Sequence, residues 1–157
     1  MFPKDLQEFL RLLTTRKIEF LVIGGVAYNV HAPPRATKDL DVWARPELEI
    51  LERLLAAIRE FGFPTEGVDA RELTETHKVL MLGRVPQRID VLTQPAGVQW
   101  SQAWPRRLTV HYGDVEVGVL SLEDLILAKR AAARPRDPAD VSVLERVARR
   151  TKPTGQP

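Results

Sequence analysis

The segment "IEFLVIGGVAYNVHAPPRATKDLDVWA", Ile18 to Ala44, constrains the fold more than any other part of the chain. A short apolar run stops at Gly24 and Gly25, Val26 to Val30 are apolar enough for a short helix, and "APPRAT" breaks it. "KDLDVWA" then alternates charged and apolar positions, the period of a half-buried strand. A strand that turns through glycines into a helix and returns as a second strand needs a sheet with helices laid against it.

The flanking sequence extends this plan. Leu6, Phe9, Leu10 and Leu13 recur at helical spacing before the first strand. Pro46 suits the first position of a second helix, whose apolar face is Leu48, Leu51, Leu54, Leu55 and Ile58 and which ends near Gly62. "HKVLMLG" and "QRIDVLT" flank Arg84-Val85-Pro86 like hairpin arms, and "RLTVHY" and "VEVGVL" flank Gly113-Asp114 in the same way. Ser121 with Asp124 marks a capped start for "LEDLILAKRAAA", and Asp137, Pro138 and Asp140 place a cap, a proline and a third-position acid before "VSVLERVARR". The pattern predicts an α/β (α+β) fold: a mixed, largely antiparallel sheet with helices packed on it, in one domain over residues 1–150, followed by a disordered tail at 151–157.

Composition narrows the classes. No segment approaches the ~20 consecutive apolar residues of a membrane span, and the N-terminus lacks a basic region followed by an apolar block. The absence of cysteine removes disulfides, thiolate metal sites and thiol catalysis. The expectation is a cytoplasmic protein with no membrane partner.

The chemistry concentrates in the acids. In "KDLDVW", Asp39 and Asp41 fall on one strand face and Leu40 and Val42 on the other. Two carboxylates so placed repel unless a cation neutralises them, and oxygen ligands suit Mg²⁺ or Mn²⁺; otherwise they form a solvated strand face. Asp90 sits between Ile89 and Val91 in an otherwise apolar strand and needs a partner, either a salt bridge to Arg88 or Lys78, or a metal shared with the first pair. Three such acids on neighbouring strands suit two-metal phosphoryl transfer. Gly24 and Gly25 form either an ordinary tight turn or a loop that lets phosphate approach backbone at a helix N-terminus. Neither a P-loop nor a dinucleotide-binding fingerprint is present.

Together, the strand, Gly24-Gly25, the short helix, "RATKDLDVW" and the later lone Asp90 resemble the minimal nucleotidyltransferases of the DNA polymerase β superfamily. The branch they resemble most contains AbiEii-type toxins and aminoglycoside or lincosamide nucleotidyltransferases, and with "LEDLILAKRAAARPRDPADVSVL" the resemblance covers nearly the whole chain. It implies transfer of an NMP from an NTP, such as ATP, to an acceptor hydroxyl. Gly24 and Gly25 match its nucleotide loop, Asp39 and Asp41 its metal-binding pair, and Asp90 its third carboxylate. Many members carry Gly-Ser where this chain has Gly-Gly, which removes one hydroxyl contact to phosphate. The acceptors in view are tRNA or another RNA, a protein, or an antibiotic, with an antitoxin as a partner of a toxin-like member. A non-catalytic binding protein of the same fold, or an antitoxin, is the alternative.

Other residues have two readings each. Arg35 and Lys38 either neutralise phosphate oxygens or solvate the surface, and Lys129 either contacts the nucleotide or snorkels from a core helix. Asp137 and Asp140 read as helix-capping acids before residues with a direct role in the site. His31, His77 and His111 lack zinc-ligand spacing, and Trp43, Trp100 and Trp104 read as packing residues before base-stacking ones. Arg106, Arg107, Arg134 and Arg136 carry the argument for an RNA acceptor, which a net charge of +2 supports weakly.

Overall fold

The computed structural model describes residues 4–37, 39–84 and 87–151. Helix α1 (Lys4–Thr15) buries Leu6, Phe9, Leu10 and Leu13, the face set by their spacing. Strand β1 (Phe20–Ile23) is buried throughout and runs directly into α2 (Gly24–His31), which starts on the first glycine rather than after the pair. Strand β2 (Asp39–Ala44) follows, then α3 (Leu48–Phe61). Glu47 occupies the N-cap of α3, so Pro46 lies just before the helix instead of within its first turn. Gly62 ends it in the left-handed conformation at φ 112°, where its amide donates back to Arg59 and Ile58 carbonyls.

Two short helices had no periodic signal. Helix α4 (Ala70–Glu75) is capped by Asp69, whose carboxylate accepts from the Arg71 amide, and α5 (Trp100–Arg106) carries Pro105 near its end. The hairpins are β3 (Val79–Arg84) with β4 (Gln87–Leu92) and β5 (Leu108–Tyr112) with β6 (Val115–Val119), as expected. Helices α6 (Leu122–Ala132) and α7 (Asp137–Thr151) complete the order, and Ser121 caps α6 by accepting from the Asp124 amide at 3.1 Å.

The strands form one sheet in the order β3-β4-β2-β1-β6-β5. Antiparallel pairing joins β1 to β2, β3 to β4 and β5 to β6, while β1–β6 and β2–β4 are parallel. The sheet is thus mixed with antiparallel pairs in the majority, as the hairpin signals require. Leu40, Val42 and Ala44 of β2 are fully buried, α1 packs on β6, and α3 packs on β2. Fully burying each such side chain contributes about 1.5–3 kcal/mol for the larger ones. The alternate positions Asp39 and Asp41 are thereby held on the other side of the strand. Among the described residues no helix is long and apolar enough to cross a membrane.

Candidate active site

The parallel register of β2 and β4 sets Asp41 opposite Asp90 and Asp39 opposite Arg88. All four side chains leave the same face, because each pair on one strand is two residues apart. Arg88 donates from Nε to Asp90 Oδ1 at 3.0 Å and from Nη2 to Asp90 Oδ2 at 3.1 Å, and the same Nη2 reaches Asp39 Oδ2 at 3.2 Å. Of the two salt-bridge partners open to Asp90, Arg88 is the one that forms, while Lys78 pairs with Glu72. Among the described residues Asp41 receives no such bond from a guanidinium. Burial, then the charges of Asp90 and Asp39, push its carboxyl up from 3.8 to about 6, against a lowering by Arg134. Among the described residues no three His, Cys, Asp or Glu side chains stand gathered for a metal ion, and Arg88 bridges two of the three acids.

The glycine turn lies against these acids. Gly24 has φ +67°, and a Cβ built on it would fall 2.1 Å from Asp41 Oδ2. A Cβ on Gly25 would fall 2.6 Å from Thr37 Oγ1. Gly24 therefore requires glycine for both space and backbone conformation, whereas at Gly25 the neighbour is the end of an exposed threonine that can turn away. The N-cap of α2 is Ile23, which supplies no side-chain acceptor to the first-turn amides. Those amides are left for another acceptor. One cleft is lined by Gly24, Gly25, Asp39, Asp41, Arg88 and Asp90 together with Arg35, Lys129, Arg134 and Arg136.

Of these cations, Lys129 lies on α6, Arg134 and Arg136 lie between α6 and α7, and Arg35 lies between α2 and β2. Lys129 is 4% exposed, and its Nζ donates to Asp140 Oδ2 at 2.9 Å and lies 3.7 Å from Asp137 Oδ1. Arg35 donates to both oxygens of Asp140, at 2.5 and 2.9 Å, and its guanidinium lies 4.2 Å from the Tyr28 ring centre. Arg134 donates to Asp137 Oδ2 from its amide at 2.7 Å and its Nε at 3.3 Å. Burial pushes Asp137 and Asp140 up, but the opposing hydrogen bonds, from the Arg134 amide to the first and from Arg35 and Lys129 to the second, hold both below the usual range. Asp140 lies in the first turn of α7, as expected of a third-position acid, and at 3% exposure it is also the shared anion of two cleft cations. Asp137 does take a backbone amide, and it also faces Lys129, its Oδ1 buried without a hydrogen-bond partner. Lys129 does not snorkel, because its ammonium ends between these two acids. Lys38 lies outside the described residues.

With this geometry in view, a family model described as a nucleotidyltransferase of unknown function (DUF6036) matches residues 4–149. The chain belongs to this nucleotidyltransferase family. No match was found among curated proteins. Solved structures with the same fold include the lincosamide antibiotic adenylyltransferase LnuA, lincomycin-bound, at 15% identity and TM-score 0.62, covering 94% of this chain and 98% of that one. The antibiotic-resistance factor ANT(2'')-Ia matches at 16% identity and TM-score 0.60, covering 92% and 80%. An antigenic nucleotidyltransferase-like protein from Paracoccidioides brasiliensis matches at 18% identity and TM-score 0.53, covering 90% and 72%.

Several expected contributors to this nucleotidyltransferase's surface are engaged elsewhere. Arg106 grips Asp124, which is 1% exposed, through Nη2 at 2.6 Å and Nε at 3.1 Å. Arg107 donates to the Trp104 carbonyl at 2.8 Å and lies 3.8 Å over that ring. Trp104 stacks on Trp100, which meets Trp43 edge-on at 5.3 Å, and Trp43 donates to the Thr93 carbonyl. The tryptophans pack, as read from the sequence. His31 and His77 bond to the Leu120 and Gln94 carbonyls, and His111 lies near Glu116. The residues that sequence reasoning underrated are Asp140 and Arg88. The signal for Asp140 was its place near Lys129 in a charged stretch; for Arg88 it was the same-face spacing to Asp90.

Proposed function

We propose that this nucleotidyltransferase moves an NMP from an NTP to an acceptor hydroxyl with two divalent ions, Mg²⁺ or Mn²⁺. The observation that carries the reading is the Asp41–Asp90 register beside Gly24. The donor chemistry suits hard divalent cations: Asp41 stands opposite Asp90 with Asp39 two residues along the same strand face, and Asp41 is pushed up to about 6 by burial first and by Asp90 and Asp39 next. Asp39, Asp41 and Asp90 would hold the ions, which when bound neutralise phosphate charge and align the attacking and leaving oxygens.

The chain's own residues carry the rest. The Gly24-Gly25 backbone and the first turn of α2 receive the phosphates. Lys129, Arg35 and Arg134, fixed by Asp140 and Asp137, supply positive charge across the cleft without reorganising at the moment of reaction. The acceptor oxygen bonds to the α-phosphorus as the bridging oxygen leaves with pyrophosphate, and the hydroxyl proton passes to the Asp90 carboxylate. A non-catalytic member would have no need of a buried Asp41 carboxylate whose ionisation burial, Asp90 and Asp39 oppose.

An antibiotic-like small acceptor gains support from an apolar pocket that adjoins Asp41 and Gly24 and is lined by Leu92, Pro95, Leu120 and Leu125. The RNA acceptor and the toxin-like role with an antitoxin rest on fewer cations, since Arg106 and Arg107 are engaged. The test is labelled-NMP transfer from each NTP with Mg²⁺ or Mn²⁺, offered tRNA, protein, and aminoglycoside and lincosamide acceptors. Asp90→Asn is expected to cut turnover at least ~100-fold, the scale of losing a major electrostatic contributor. Unchanged turnover in a folded Asp90→Asn protein refutes the three-carboxylate mechanism.

A further inference from the structure

Arg88 differs from the other cleft cations in what it holds. Lys129 and Arg35 rest on Asp140, away from the acid triad. Arg88 instead spans the triad, taking both oxygens of Asp90 and one of Asp39 on the neighbouring strand. Its guanidinium supplies the positive charge that like-charged carboxylates at this spacing require. The same oxygens are those that any cation shared between β2 and β4 would use. A divalent ion lies about 2.1 Å from its oxygen ligands, and a guanidinium already hydrogen-bonded to those oxygens competes with it for lone pairs and for charge.

The pairing is also releasable. The Arg88 side chain is 34% exposed, so solvent can take up the guanidinium when it leaves. Its bond to Asp39 is open to water on both sides, at 34% exposure each, and such a pair is weak. Lys129 at 4% has no such route. Among the described residues Arg88 makes no hydrogen bond to Asp41, so the acid under Gly24 is not held by the guanidinium that an incoming ion has to displace.

We infer that Arg88 is a built-in counter-cation that holds Asp39 and Asp90 together when no metal is bound and must be displaced for metal to load. This rests on the two-metal reading above. Arg88 is thus a positioning residue, and it sets a threshold of free divalent cation below which the triad stays paired internally. Asp39 and Asp90 are kept close by Arg88 before loading, which spares the ion from having to gather them against repulsion.

The test is Mn²⁺ binding to the full chain, followed by electron paramagnetic resonance of the free ion, with no nucleotide present. Arg88→Ala and Arg88→Gln should each bind Mn²⁺ at least about 10-fold more tightly than the parent protein, because a competing charge within contact distance is removed. Arg88→Lys should fall between, since it keeps the charge but loses the fork that matches a carboxylate. Arg136→Ala removes a charge from the same cleft without touching the acids and should change affinity less than about 2-fold. In metal-free buffer Arg88→Ala should melt below the parent, and saturating Mn²⁺ should remove that difference. Equal Mn²⁺ affinity in the parent, Arg88→Ala and Arg88→Gln overturns the counter-cation role while leaving the metal reading in place. An Arg136→Ala gain as large as that of Arg88→Ala also overturns it, because the general field of the cleft would then suffice. Absence of saturable Mn²⁺ binding in all the proteins overturns the two-metal reading itself, and this inference with it.

Discussion

Replacing Asp41 by asparagine should stabilise the metal-free protein at pH 8 and do almost nothing at pH 4. The side chain is pressed beneath Gly24 and beside Asp90, and ionising it is resisted by burial first and by Asp90 and Asp39 next, which raises its pKa from 3.8 to about 6. A carboxyl whose folded pKa lies above its unfolded value contributes stability that is complete below pH ~4 and is lost as pH rises through about 6. A difference of about 2 units corresponds to about 3 kcal/mol once ionisation is complete, at 1.36 kcal/mol per unit. That is a ceiling, because the three acids titrate as a set and the shift belongs partly to the cluster. Asparagine keeps the shape and never ionises, so the variant escapes this cost. Taking half the ceiling, and about 2–4 °C per kcal/mol for a domain of this size, the gain is roughly 3–6 °C. The assay is thermal unfolding followed by circular dichroism in chelator, at pH 8 and pH 4. Adding Mg²⁺ at pH 8 should stabilise the parent through binding linkage and erase the variant's advantage. A melting difference that is equal at the two pH values, or a variant that melts lower at pH 8, refutes a net cost of ionising Asp41 in the folded protein.

Three further outcomes follow from the same contacts. Gly24→Ala should cost about 1–2 kcal/mol in urea unfolding, from its positive φ, and should reduce NTP affinity in calorimetry because the new Cβ meets Asp41 Oδ2. Asp140→Asn should cost about 3 kcal/mol or more, since it leaves a buried ammonium and Arg35 without their anion; Lys129→Met with Asp140→Leu should recover part of that stability but not NTP binding. Arg106→Ala should lower stability by about 2 kcal/mol by stripping the charged partner from Asp124, and any loss of tRNA binding in it must be compared with the stability of the same protein before it is credited to phosphate contact.

The sequence by itself determined the pieces that depend on near neighbours along the chain. Helix α1 and helix α3 follow from apolar residues on one turn-by-turn face, both hairpins follow from alternating runs around turn residues, and Ser121 follows from its spacing to Asp124. The shared face of Asp39 and Asp41, and of Arg88 and Asp90, is likewise a consequence of the two-residue period of a strand. The short helices α4 and α5 escaped because six or seven residues carry too few turns to show a period. The tertiary structure alone decided which strands are neighbours. Only the placement of β2 against β4 sets Asp41 opposite Asp90, and gives Arg88 an anion on each strand. Arg35 and Asp140 meet across 105 residues, and Arg106 finds Asp124 across a hairpin. Such pairs leave no periodic trace, because a charge is satisfied by whatever opposite charge the packed core brings within 3 Å, and that choice belongs to the whole fold.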